Sequence, residues 1–201
     1  MASPYLDWRL TCERYLRQSH VIIIKLRSMS KIIVYASRYG STRRYADKLS
    51  ELTGVEAVDY SKVKDISAYD KVVYMGSILA GTVTGLKKTV SKMKVGQELV
   101  IVSVGMIDPK DPENVSGIRS IIRQQIPAEL YDESRIFHLQ GCIDYPNLKL
   151  SHRMLMSMMR SMASKKPEIE LDAVSRTVLA TYGQRIDYVD LSALDVIVPS
   201  V

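Results

Sequence analysis

With two cysteines in 201 residues, Cys12 and Cys142, the chain has no disulfide framework, and its three scattered histidines complete no zinc or iron ligand spacing. No metal is expected, and a reducing, cytoplasmic setting is. Long apolar runs are equally scarce. Residues 21–24 and 32–36 fall far short of the roughly 20 needed to cross a bilayer, so no transmembrane helix is expected. Internal repeats and low-complexity tracts are absent. Basic residues are not interleaved with aromatic ones, which argues against nucleic acid as a partner.

What is present suits one globular domain. A chain that is 46% hydrophobic and 25% charged, at this length, can bury a sizeable core. The formal net charge of +6 fits an anionic partner, whether an acidic lipid surface, a carboxylate-bearing substrate or nucleic acid, and does not choose among them. Residues 1–28 are rich in Arg and polar side chains. Their apolar run is too short for a signal-peptide core and no small-residue cleavage site follows it. They read as an N-terminal extension that carries no part of the function, with residues 29–201 as the domain.

From Lys31 the pattern is regular. Residues 31–36 form a short β-rich apolar run, and 42–52 place Tyr45, Ala46, Leu49 and Leu52 on one helix face. Further strands are expected over 55–59, 71–77, 98–104 and 135–141, and further helices over 86–93, 114–125 and 170–182. Strands apolar on both faces, alternating with helices of about ten residues, predict an α/β fold: a doubly wound five-stranded parallel sheet with helices on both faces. Such sheets bind ligands beyond the carboxyl ends of their strands, near the point where strand order reverses. The turns after Ala36, Met75 and Val104 are therefore the ones to examine.

The first turn reads Ser37-Arg38-Tyr39-Gly40-Ser41-Thr42 and runs straight into a helix. A helix N-terminus carries unpaired N–H groups and partial positive charge, Gly40 permits close backbone approach, and the hydroxyls of Ser37, Ser41 and Thr42 add donors. The turn suits a phosphate; Ser and Thr there also serve as ordinary helix caps. It lacks the Lys of a P-loop and the G-x-G-x-x-G of a dinucleotide fold, which disfavours a nucleoside triphosphate or NAD.

These residues resemble the phosphate loop of the flavodoxin family, roughly Ser/Thr-x-Ser/Thr-Gly-x-Thr directly after the first strand, matching at Ser37, Gly40 and Thr42, with Tyr39 in place of a small hydroxyl residue. The resemblance covers residues 30–201 and implies FMN, its phosphate held at Ser37 to Thr42 with Arg38 either pairing with it or facing solvent. It also implies two ring-flanking loops. One contains Ser77, Ile78, Leu79, Ala80, Gly81 and Thr82; the other contains Ser103, Val104, Gly105 and Met106. Neither supplies the aromatic that electron-transfer flavodoxins commonly stack on the flavin, which leaves a more open ring face for a substrate.

Between residues 141 and 166 the only acid is Asp144, while Lys149, Arg153, Arg160, Lys165 and Lys166 are basic and Met154, Leu155, Met158, Met159 and Met162 recur at near-helical spacing. This pattern fits either a core-packing helix with a solvated basic face or an adaptable apolar surface beside positive charge. Together with Gly76-Ser77-Ile78 and the Gly141 to Pro146 stretch, it resembles the flavodoxin-type, menaquinone-dependent protoporphyrinogen oxidases of bacteria. That resemblance implies an FMN-dependent oxidoreductase acting on protoporphyrinogen or a similar anionic reduced substrate with a quinone acceptor. Lys149, Arg153 and Arg160 would neutralise carboxylates, and Tyr145 and His152 would stand on the substrate side. The same basic helix would alternatively bring a cytoplasmic enzyme to the inner face of the cell membrane. The competing expectation is a flavodoxin-like electron carrier that serves redox protein partners. His138, on an expected buried strand, reads as a satisfied core histidine.

Overall fold

The computed structural model describes residues 29–201, so the extension expected over residues 1–28 lies outside the described residues. Five strands, β1 (Lys31–Ala36), β2 (Ala57–Asp59), β3 (Lys71–Leu79), β5 (Glu98–Gly105) and β6 (Ile136–Gln140), form a parallel sheet in the order β2-β1-β3-β5-β6. The chain winds outward from β1 to one edge and then crosses back to the other, which is the expected doubly wound arrangement. A two-residue strand β4 (Thr82–Val83) adds an antiparallel pairing to the end of β3. The β1, β3 and β5 runs are buried on both faces, which is why they read as continuous apolar stretches.

Each face of the sheet carries its own core. One, built on Ile32, Val34, Tyr74 and Ile101, is covered by α2 (Leu86–Val90) and α3 (Pro112–Arg123) through Leu86, Val90, Ile118 and Ile122. The other, built on Ile33, Val73, Met75 and Val102, is covered by Tyr45, Ala46 and Leu49 of α1 (Ser41–Thr53) and by Leu194, Ile197 and Val201 of the C-terminal segment. That segment is not a helix but two 3-10 turns, Leu191–Leu194 and Val198–Ser200. It is tied to the sheet at the paired residues Lys31 and Lys71, whose ammonium groups donate to the Val201 and Ser200 carbonyls at 2.7 and 2.9 Å.

Several boundaries differ from the sequence expectation for local reasons. The helix expected over 86–93 ends at Val90, and residues 91–93 continue as turns closed by Lys92 N–H to Thr89 and Met93 N–H to Val90 carbonyls. The helix expected from 170 starts at α5 (Ala173–Thr181), because the Asp172 carboxylate caps it by accepting the Ser175 N–H at 2.7 Å. An antiparallel ribbon of β7 (Cys142–Asp144) and β8 (Arg185–Asp187), absent from the sequence reading, clamps the two ends of the stretch that holds α4 (Leu150–Ala163) and α5.

Candidate functional site

The ends of β1, β3 and β5 converge, and their following turns face α4 and α5 across a cavity of about 240 Å³. Tyr39 from the first turn, Ile78, Leu79, Ala80 and Gly81 from the second, and Gly105, Met106 and Ile107 from the third form one wall. His152, Leu155, Met156 and Met159 of α4, with Val174, Thr177, Val178 and Thr181 of α5, form the opposite one. The lining is mostly apolar, as a flat conjugated ring requires.

The first turn is shaped for an anion. Gly40 takes a φ of +97° just before α1, a left-handed conformation that only glycine adopts cheaply, and no atom lies within 4 Å of the place where a Cβ would stand. Its N–H donates to Ser37 Oγ at 3.1 Å, which folds the turn and leaves the Ser37 hydroxyl proton free. Thr42 is fully buried and its Oγ1 has no hydrogen-bond partner. Burying an unpaired hydroxyl costs about 1–3 kcal/mol, so a ligand that pairs it recovers that cost. The first turn of α1 has no acid and carries the exposed Arg43 and Arg44, the wrong sign for the positive end of a helix dipole. Arg43 pairs with Asp47 at 3.4 Å and Arg44 with Asp187 of β8 at 2.6 Å, while Arg38 is exposed. An anion at this terminus relieves the imbalance, and the residues present fit a phosphate.

Ser41 is also buried, pressed against the end of β6. A Cβ on Gly141 would stand 3.0 Å from Ser41 Oγ and 3.2 Å from Val104 Cγ1, so a larger residue would have to push these side chains aside by a few tenths of an ångström. The second turn is tighter than a loop. β3 continues to Leu79, and Ala80 and Gly81, at φ +49° and +71°, form a two-residue hairpin to β4. A left-handed alanine costs about 1–2 kcal/mol. This strained residue sits on the cavity wall. Ser77 faces Thr84, Oγ to Oγ1 at 3.3 Å, and Thr82 is exposed and bonded to the Leu79 carbonyl at 3.0 Å, so neither lines the cavity.

Of the four residues expected from the third turn, Gly105 and Met106 reach the cavity, joined there by Ile107; Ser103 and Val104 are strand residues of β5 whose side chains are buried against opposite faces of the sheet. Ser103 Oγ meets His138 Nδ1 at 2.7 Å. The reading of His138 as a satisfied core residue is therefore half right: Nδ1 is paired, while Nε2 is buried without a partner. Burial, with the nearby Arg119 charge, pushes the His138 pKa down to about 4 and keeps the ring neutral.

Of the five residues expected on the substrate side, His152 alone lines the cavity, and its Nδ1 is hydrogen-bonded to the Tyr39 hydroxyl. Tyr145 is buried, its ring packed on Tyr182 at 5.1 Å, and burial raises its pKa. Lys149 and Arg153 are exposed, and the Arg160 guanidinium lies over the Tyr182 ring at 4.5 Å. Sequence reasoning missed Ile118, Ile121, Cys142 and the α5 residues of the lining, because only the tertiary fold brings them here. Among the described residues no group of three or more His, Cys, Asp or Glu side chains is placed to hold a metal ion.

The family model described as a flavodoxin domain matches residues 32–170, more than half of the chain. The chain belongs to the flavodoxin family. Among solved structures it is similar to an archaeal flavodoxin, 14% identical, covering 56% of this chain and 83% of that one at a TM-score of 0.39. A flavodoxin mutant from Fusobacterium nucleatum bound to flavin mononucleotide is 15% identical, covering 58% and 78% at 0.35. A Lactobacillus acidophilus flavoprotein in complex with FMN is 14% identical, covering 56% and 93% at 0.36. No curated protein matches the chain.

Proposed function

We propose that this flavodoxin-family chain is an FMN-dependent oxidoreductase that oxidises an anionic reduced substrate of the porphyrinogen type and passes the electrons to a quinone. The observation that carries the reading is the convergence of the Ser37 to Thr42 turn, with its buried unpaired Thr42 hydroxyl, and the two following turns on one apolar cavity. FMN supplies the hydride-accepting chemistry when bound. The free N–H groups at the start of α1 and the hydroxyls of Ser37 and Thr42 would hold its phosphate. Ile78 to Gly81, Gly105 to Ile107 and Met159 line the cavity that would hold its ring, and the methionines would offer it adaptable apolar contact.

The finer reading rests on α4. Electron carriers need the ring edge open to a protein partner, whereas α4 and α5 overlie this cavity. His152, fixed by Tyr39, is the one titratable group of α4 on the wall and the natural holder of a substrate proton. Lys149 and Arg153, exposed at the N-terminal end of the same helix, supply positive charge for carboxylates that project from the cavity mouth. At about 240 Å³ the cavity lies below the ~300–1,000 Å³ of common ligand sites, so a flavin ring together with a second ring system would require α4 to move outward. The test is titration of the protein with FMN followed by flavin fluorescence, then aerobic and anaerobic assay of protoporphyrinogen oxidation with a menaquinone analogue. Tight quenching with quinone-dependent turnover is expected. Tight binding without turnover would leave the carrier role, and no binding would remove the cofactor.

A further inference from the structure

The methionine-rich helix has two apolar faces, and the cavity uses one of them. Leu155, Met156 and Met159 point inward. Leu150, Met154, Met158 and Met162, spaced four apart, form a continuous outward stripe and are 73%, 66%, 54% and 60% exposed. A helix that packs against its own domain has no need of a second apolar row, and an exposed row of four large side chains marks an interaction surface. Its setting is one-signed. From Tyr145 to Lys166 the chain has no acid, and Lys149, Arg153, Lys165 and Lys166 are exposed beside or just beyond the stripe. The nearest acids in the chain are Asp144, which pairs with Arg185 at 3.4 Å, and Glu168 and Glu170 past the helix end.

We infer that the outer face of α4 docks on an anionic lipid bilayer, with the stripe buried among the acyl chains and the lysines and arginine at the headgroups. Three of its four side chains, Met154, Met158 and Met162, are flexible and unbranched, Ser151, Ser157 and Ser161 lie between the stripe's members in the helix, and the stripe has no rigid aromatic to anchor a protein interface. An amphipathic helix with basic rims is what an acidic lipid surface binds. Docking in this pose places the cavity's outer wall at the membrane surface, where lipid-soluble electron acceptors reside. The inference goes beyond the redox reading and does not require it, because vesicle binding needs no flavin.

The test is cosedimentation of the full chain with vesicles of phosphatidylcholine alone and with phosphatidylglycerol added. Binding only to the phosphatidylglycerol vesicles, weakened by salt, is expected. M154S with M158S should reduce it by about tenfold or more, and K165E with K166E by about fivefold per lysine, with circular dichroism and melting unchanged. Absence of binding to phosphatidylglycerol vesicles would overturn the inference. So would binding indifferent to the methionine substitutions, or a concentration-dependent dimer in lipid-free solution that M154S with M158S abolishes.

Discussion

The Tyr39 hydroxyl and His152 Nδ1 share a hydrogen bond across 113 residues of chain, and their rings meet edge to face at 5.7 Å. This contact links the turn between β1 and α1 directly to α4, which lines the cavity. Tyr39 occupies the position where the family's loop usually has a small hydroxyl residue, so the departure has a structural use: it reaches outward to α4. His152→Ala should loosen that closure and weaken FMN about five- to tenfold, with Tyr39→Phe giving a smaller loss because its ring contact survives. Fluorescence titration of both variants measures this, and equal wild-type affinity in both would show that the contact does not support the cofactor.

Thr42 offers a test in which two readouts separate. Its buried hydroxyl is unpaired in the described structure, so Thr42→Val should leave the melting temperature of the flavin-free protein unchanged or raised. The same substitution should cost about tenfold or more in FMN affinity, since it removes a donor to the phosphate. Loss of stability without loss of affinity would assign the hydroxyl a purely structural role.

His138 sets a pH dependence. Its pKa is near 6.5 in the unfolded chain and about 4 in the fold, so between those values the unfolded state binds the extra proton. The stability contributed by the neutral ring is complete above about pH 6.5 and is lost as pH falls toward 4. Discounted for partial exposure, the effect is about 1–3 kcal/mol. Urea denaturation at pH 7 and pH 4.5 should show this difference, and His138→Leu should flatten it. The Asp172, Asp187 and Asp190 carboxyls are held below their usual range by backbone and side-chain hydrogen bonds to Ser175 and Ser192 and by the Arg44 partner of Asp187. They act in a lower window, below about pH 4.

Gly85 carries the chain from the β4 hairpin into α2 at φ +77°, and a Cβ there would stand 2.5 Å from Tyr74 Oη and 2.6 Å from Tyr60 Cδ2. Gly85→Ala should destabilise the fold by about 2–4 kcal/mol through both strain and overpacking. A thermal melt checks it, and a shift of less than a degree would mean that the two tyrosines move aside freely. Gly40→Asp is a contrasting case. Its Cβ would meet open space, so beyond the backbone strain of a non-glycine residue at φ +97°, about 1–2 kcal/mol, the expected loss is of FMN through like charge at the phosphate.

Burial on both faces made β1, β3 and β5 legible as unbroken apolar runs, and with them the parallel sheet and the turns that form the site. The Ser37 to Thr42 turn was legible as a glycine-containing turn into a helix because its features are local: a glycine, three hydroxyls and a helix start. Short elements were not. The β7–β8 ribbon has three residues on each strand and pairs Cys142 with Asp187, a distance in sequence that no periodicity reports. Nor did any pattern announce that 3-10 turns, not a helix, would cover the core beside α1, where the Tyr45 hydroxyl donates to the Gln140 carbonyl at 2.8 Å and accepts the Asp190 N–H at 2.9 Å.

The helix α4 shows where the division falls. The spacing of its methionines determined that a helix forms there, since 3.6-residue periodicity is a property of the chain itself. Apolar residues lie around most of its circumference, so the sequence could not say which row turns inward. The clamp of β7 on β8 and the Tyr39–His152 contact fix the rotation of α4, sending Leu155, Met156 and Met159 to the cavity and leaving Met154, Met158 and Met162 in water. Local chemistry determined the elements and the turn from Ser37 to Thr42, and nonlocal packing decided which side chains share a cavity.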